Sequence, residues 1–182
     1  MNYRLWIFIA IFLFSVGLVL GIIAPAGLTN LLSEDIAALE RFGAMLRPFE
    51  FSTLIVILLK NVSALLLGFI FSPILCLMPI LSLLVNGWAI AYVSSEVVGQ
   101  KSVGFVLAAL IPHGIFEIPA FILGQAAALS FGTLVLLAIF KKEKRSLLLP
   151  SLKQNARYLL IALVLLVPAA IMETYVTPLL LV

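Results

Sequence analysis

The feature that most constrains this chain is a run of 35 residues, 61–95, without one charged side chain. As one straight helix at about 1.5 Å per residue it would be about 52 Å long, well past the roughly 30 Å hydrocarbon core of a bilayer. Backbone in lipid must satisfy its own hydrogen bonds, so the run has to divide into helices. Pro73 and Pro79 lack backbone donors and predict where, giving spans at 51–72 and 74–94 with a tight reversal at Ser72-Pro73. Residues 5–24 form a separate uncharged run of 20. That is longer than the roughly 7–15 residues of a signal-peptide apolar core, and no clear small-residue cleavage site follows, so it reads as a retained span.

Residues 105–140 would make a helix of about 54 Å if continuous, and Pro112, Gly114 and Pro119 predict a break. The last run, 157–180, is interrupted by Pro168 and Glu173 and supplies one more span. Between the first two spans, Ser33-Glu34-Asp35 offers an N-cap and an acidic first turn, while Arg47-Pro48 supplies a basic end and a stop. Ile36, Leu39, Phe42, Met45 and Leu46 recur at helical spacing, predicting a short interfacial helix over 34–47. The expected fold is all-α: one transmembrane helical bundle over 1–182, with about five spans, a broken or re-entrant half-helix within 103–140, and that amphipathic helix.

Composition agrees, with 64% hydrophobic and 10% charged residues against about 25% charged in a soluble domain. The surplus of basic residues does not point to nucleic acid, because six of the eleven Lys and Arg fall between Lys141 and Arg157. Such a cluster is a topology signal that holds 141–157 in the cytoplasm of a cell-membrane protein. If Met1 and Arg4 lie on the same side, an even number of crossings precedes Lys141, so 105–140 contributes one net crossing. A re-entrant half-helix turning back at His113-Gly114 plus a full span satisfies this; so does one kinked, tilted helix. Cys76 is the sole cysteine, so no intrachain disulfide forms.

Ionisable side chains at bilayer depth cost about 2.5–3.5 kcal/mol each on insertion scales, which makes them default functional candidates. Three qualify: His113, Glu117 and Glu173. His113 is the only histidine, and Glu117 follows four residues later, on the same helical face. Pro112, Gly114 and Pro119 weaken the backbone ladder around the pair, and irregular backbone at depth belongs inside protein or along a cavity. Packing, ligand or metal binding, and acid–base chemistry all stay open for the pair. Glu173 ranks lower, since about 22 Å of helix separates it from Tyr158 and puts it near the outer interface. Asn86-Gly87 offers an intramembrane amide beside a site of close helix approach, and Gly17-x-x-x-Gly21 makes a small-residue face. Lys60, beside Asn61, can snorkel to the interface.

Several enzyme classes lack their parts. One histidine cannot supply His-Glu-x-x-His, no serine among Ser63, Ser72, Ser82, Ser94 and Ser95 sits in Gly-x-Ser-x-Gly, and no phosphate loop occurs. The pair His113 and Glu117 provides two ligands where structural zinc takes four, so a homodimer that brings both pairs together around a divalent cation such as zinc would complete a site.

The string Pro112-His113-Gly114-Ile115-Phe116-Glu117-Ile118-Pro119-Ala120, with Lys60-Asn61 and Asn86-Gly87 before it, resembles the stage II sporulation protein M family of small multi-span membrane proteins. The Pro-His-Gly-x-x-Glu-x-x-Ala core carries the resemblance, over roughly 60–140. It implies a helical bundle without a soluble catalytic domain, with Asn61, Asn86, His113 and Glu117 at the matching motif positions. In spore-forming bacteria the namesake is implied to anchor a wall-degrading machine whose hydrolytic activity lies in its partners.

The leading expectation is therefore a non-enzymatic membrane scaffold that dimerises, contacts lipid and recruits other membrane or envelope proteins. The alternative is a transporter or channel-like protein for an ion, lipid or small solute, built on the two proline-broken regions. An intramembrane metal-dependent hydrolase using Glu117 as base is the third. A water-accessible cavity at His113 favours transport; a dry, self-satisfied pair favours scaffolding.

Overall fold

The structure, a computed structural model, describes residues 3–23 and 46–181. The elements are α1 (Tyr3–Ile22), α2 (Phe51–Ile70), α3 (Leu77–Gln100) and α4 (Val103–Phe140), then a 3-10 turn (Lys142–Leu147) that leads into α5 (Leu148–Ile171). A π turn (Met172–Val176) continues α5 into a short α6 (Thr177–Leu180). Five helices, the last running through Lys142–Leu180, are long and apolar enough to cross a membrane. The chain is an all-α helical bundle and a multi-pass membrane protein. Most of the expected interfacial helix, 34–45, lies outside the described residues, and Leu46 and Arg47 are not helical.

The break expected in 103–140 is absent: α4 is one helix of 38 residues with Pro112 and Pro119 inside it. Each proline removes one backbone hydrogen bond, and seven residues of spacing put both on nearly one side, where a helix can bend without opening. A true break would leave donors and acceptors facing lipid, which costs more than the lost bonds. No re-entrant half-helix forms among the described residues, and the one-helix alternative is the one adopted. Pro79 does not interrupt α3 either, because it lies in the first turn, where backbone N–H groups have no intrahelical acceptor. The reversal between α2 and α3 is a turn over 71–76 in which Leu75 and Cys76 take positive φ of 52° and 53°.

Close approaches give the helix directions. A Cβ on Gly124 would meet Leu65, one on Gly68 would meet Gln125, and one on Gly132 would strike the Ser72 carbonyl, so α2 and α4 run the same way. α1 crosses α3 through glycines on both: a Cβ on Gly17, Gly21 or Gly87 would collide with the backbone of Leu84, Trp88 or Phe14 respectively. Small residues permit this contact where no hydrophobic effect drives helices together in lipid. Tyr3 donates to the Leu123 carbonyl at 2.7 Å and stacks on Tyr158 with ring centroids 3.6 Å apart. One small pocket is lined by Tyr3, Lys144, Ser151 and Gln154, so the start of α1 and the basic segment share one end of the bundle. There Arg145 Nε donates to the Ala138 carbonyl at 3.1 Å, placing a cation at the C-terminal end of α4. The α3–α4 connection and the start of α2 mark the opposite, distal end.

α4 is the central mast, and its two parts differ. Seven consecutive residues, 124–130, are buried; two full turns enclosed on every side mean that neighbours surround it. From Val103 to Ile118 the same helix is mostly exposed or half-buried.

Candidate functional site

The open part of α4 faces a cavity of about 560 Å³ whose lining is largely apolar, with eight polar or ionisable residues among it: Lys60, Asn61, Asn86, Ser94, His113, Glu117, Glu173 and Thr177. That volume and make-up match small-ligand sites, which set a few polar groups in an apolar wall. Val97 and Phe105 also line it, so it extends to the distal end. His113 lies ten residues into α4, about 15 Å along the helix, and Glu117 about 21 Å.

His113 and Glu117 share a helical face as their spacing required, with Nε2 and Oε2 3.8 Å apart. That is a loose ion-pair distance rather than a hydrogen bond. His113 Nδ1 is buried without a hydrogen-bond partner. Asn61 on α2 hydrogen-bonds the Glu117 carboxyl, and Lys60 and Glu173 are its charged neighbours. Asn86 spends its Nδ2 on the Ser82 carbonyl at 2.8 Å, one turn back on α3, which leaves the amide oxygen for the cavity. Ligand atoms of His113, Glu117 and Glu173 all fall within 4.8 Å of one another. Three elements thus bring a histidine and two carboxylates together beside one ammonium.

Asn61, Asn86, His113 and Glu117, the motif residues, meet in this one cavity. Gly114 lines it too, but a Cβ there would meet only Ile118 Cδ1, at 3.7 Å, so this glycine keeps the wall low and breaks nothing. Pro112 is buried and Pro119 exposed; neither interrupts the helix. Gly87 does what its sequence context suggested and seats α1.

Two placements sharpen the sequence reading. Glu173, ranked lower from the sequence, joins the cluster from the π turn. The Thr174 carbonyl in that turn accepts from Phe49 N–H at 3.2 Å, tying it to the segment before α2. Lys60, read from the sequence as a snorkelling residue, lines the cavity near both carboxylates. Gln125 was not singled out at all. It is fully buried, donates from Nε2 to Ser82 Oγ at 3.1 Å, and leaves Oε1 without a partner. An amide inside an apolar helix was the available signal.

A polytopic helical bundle holding a polar cavity between its helices defines the class: a small multi-span membrane protein whose distinctive residues converge on one cavity. The chain belongs to the Stage II sporulation protein M family, whose model matches residues 10–178. A relative from Methanocaldococcus jannaschii, itself described as an uncharacterized protein, is 27% identical over 173 residues, covering 94% of this chain and 93% of the relative. No solved structure matches.

Proposed function

We propose that the chain is a non-enzymatic, transporter-like membrane protein that takes a small ionic ligand into the cavity between α2, α3, α4 and the π turn. The observation that carries this is the cavity itself, with Asn61, Asn86, His113, Glu117 and Glu173 turned to it. A self-contained strut would close on itself; here the His113–Glu117 contact is 3.8 Å and an imidazole nitrogen lacks a partner. Discontinuous helices are not needed, since one continuous helix and a π turn supply the polar groups. The protein sits in the cell membrane with Lys141–Arg157 on the cytoplasmic side, and the ligand enters from the distal, external end. The scaffold role, with a homodimer and envelope-protein partners, rests on the family resemblance and is the reading this one displaces.

Single cysteines test entry. Ala64 and Ala109 line the cavity, whereas Leu107 is an exposed apolar residue of the α4 surface outside that lining. Thiol reagents of the methanethiosulfonate type react with thiolate, which needs water. Ala64→Cys and Ala109→Cys should label with a small membrane-impermeant reagent added from one side, Leu107→Cys should not, and the wild-type chain with buried Cys76 gives the background. No labelling of Ala64→Cys from either side would mean that the cavity is dry and the proposal wrong.

A further inference from the structure

The polar cluster has a composition that selects among ligands, and resting on the ligand-binding reading above we infer that His113, Glu117 and Glu173 of a single chain form a binding site for a divalent transition-metal cation such as zinc. One imidazole and two carboxylates match the three-ligand pattern of open zinc sites, in which the fourth position holds water or an incoming group. The histidine nitrogen favours a transition metal over magnesium or calcium, which prefer all-oxygen shells. The three ligand atoms lie within 4.8 Å of one another. Tetrahedral zinc with bonds of about 2.0–2.2 Å needs neighbouring ligand atoms about 3.3–3.6 Å apart. The ligand atoms must therefore draw together by up to about 1.5 Å as the metal binds, and His113 Nε2 and Glu117 Oε2 already stand at 3.8 Å.

Two independent features support a cation here. The His113 imidazole spends neither nitrogen on a hydrogen bond, Nδ1 being buried and unpartnered and Nε2 having only the 3.8 Å contact to Glu117, so the ring can present one of them to a metal. Two carboxyl groups also face one ammonium, Lys60, which interacts with both, so carboxyl oxygens outnumber the cations beside them. Lys60 carries its charge on a long flexible stem and can withdraw when a stronger cation arrives. It acts as a competitor, holding the empty site together until metal displaces it. Asn61, hydrogen-bonded to Glu117, orients that carboxylate as an outer partner. Glu173 makes the difference from a site shared across a dimer, because it gives each chain its own third ligand and predicts one cation per chain.

The test is calorimetric titration of the purified full chain in lipid nanodiscs with zinc chloride alone. Binding at one zinc per chain is expected, with affinity weakened at least about tenfold in Glu173→Gln and in His113→Ala. Helix content by circular dichroism should be unchanged in both. Lys60→Met should tighten binding several-fold by removing the competing cation. No binding, half a zinc per chain, binding indifferent to Glu173→Gln, or weaker binding in Lys60→Met would each overturn the assignment. If Ala64→Cys labels and zinc still does not bind, the metal falls while the cavity reading stands; if neither occurs, both fall.

Discussion

The two parts of α4 share one helix, yet 120–138 is mostly buried, fully so over 124–130, and 103–118 is open. The sealed part is built from Ala126, Ala127, Ala128, Gly124, Ser130 and Gly132, whose small size lets α2, α3 and α5 come against its backbone. The open part carries larger apolar residues that face outward, such as Ile111 and Ile115, and leaves the opposite side to His113, Gly114 and Glu117 along the cavity. Size, more than polarity, decides which part closes. Gln125 carries the same amide as Asn61 and Asn86 of the cavity and is fully buried, because Ser82 accepts its proton and Gly68 leaves room for its end group. A site inside a membrane thus needs withheld packing as well as polar residues.

The same substitution at two glycines of this one helix is the sharpest way to break that contrast. A Cβ on Gly132 collides with the Ser72 carbonyl and Cys76 Sγ, backbone and buried side chain with nowhere to go. Gly132→Ala should therefore cost about 1–3 kcal/mol, the range for overpacking, even though alanine is the better helix former. Thermal unfolding in nanodiscs would register it as a clear fall in Tm. A neutral result would show that the sealed part is slack and the contrast false.

Gly114→Ala is the mirror case with the smaller effect. The added methyl meets only Ile118 Cδ1 at 3.7 Å, so stability should hold or rise by up to about 1 kcal/mol. A fall comparable to that of Gly132→Ala would mean that the open part packs against something and that the cavity closes in the folded protein.

Length and charge made the bundle legible in the sequence: uncharged runs too long for one crossing, and prolines to divide them. The prolines misled in α4, where the rule that proline ends helices belongs to water; in lipid the exposed backbone of a broken helix costs more than two missing bonds. The candidate site was legible at His113 and Glu117, because ionisable groups are rare at depth and the i,i+4 relation is local. Asn86 stood out as an amide in an apolar span and Asn61 through the motif, and only the packing of α2 and α3 brought them to α4. Glu173 ranks low in the sequence because distance along a helix does not say which way a residue faces, and a π turn leaves no mark in composition. Gln125 shows the converse, a polar residue that is structural.

The central claim is that the His113–Glu117–Glu173 cluster is a site, not a strut, and the melting temperature of Glu117→Gln in lipid nanodiscs tests it most directly. Breaking a well-formed buried ion pair costs about 3–5 kcal/mol, because a charge is left without compensation. Here the removed carboxylate is the surplus one: Lys60 keeps Glu173 as its counter-charge, and Asn61 can still hydrogen-bond the new amide. The account predicts a Tm that is unchanged or raised, as when a functional group is removed from a site that stability alone would not build. A fall corresponding to several kcal/mol would contradict it and make the cluster a structural brace.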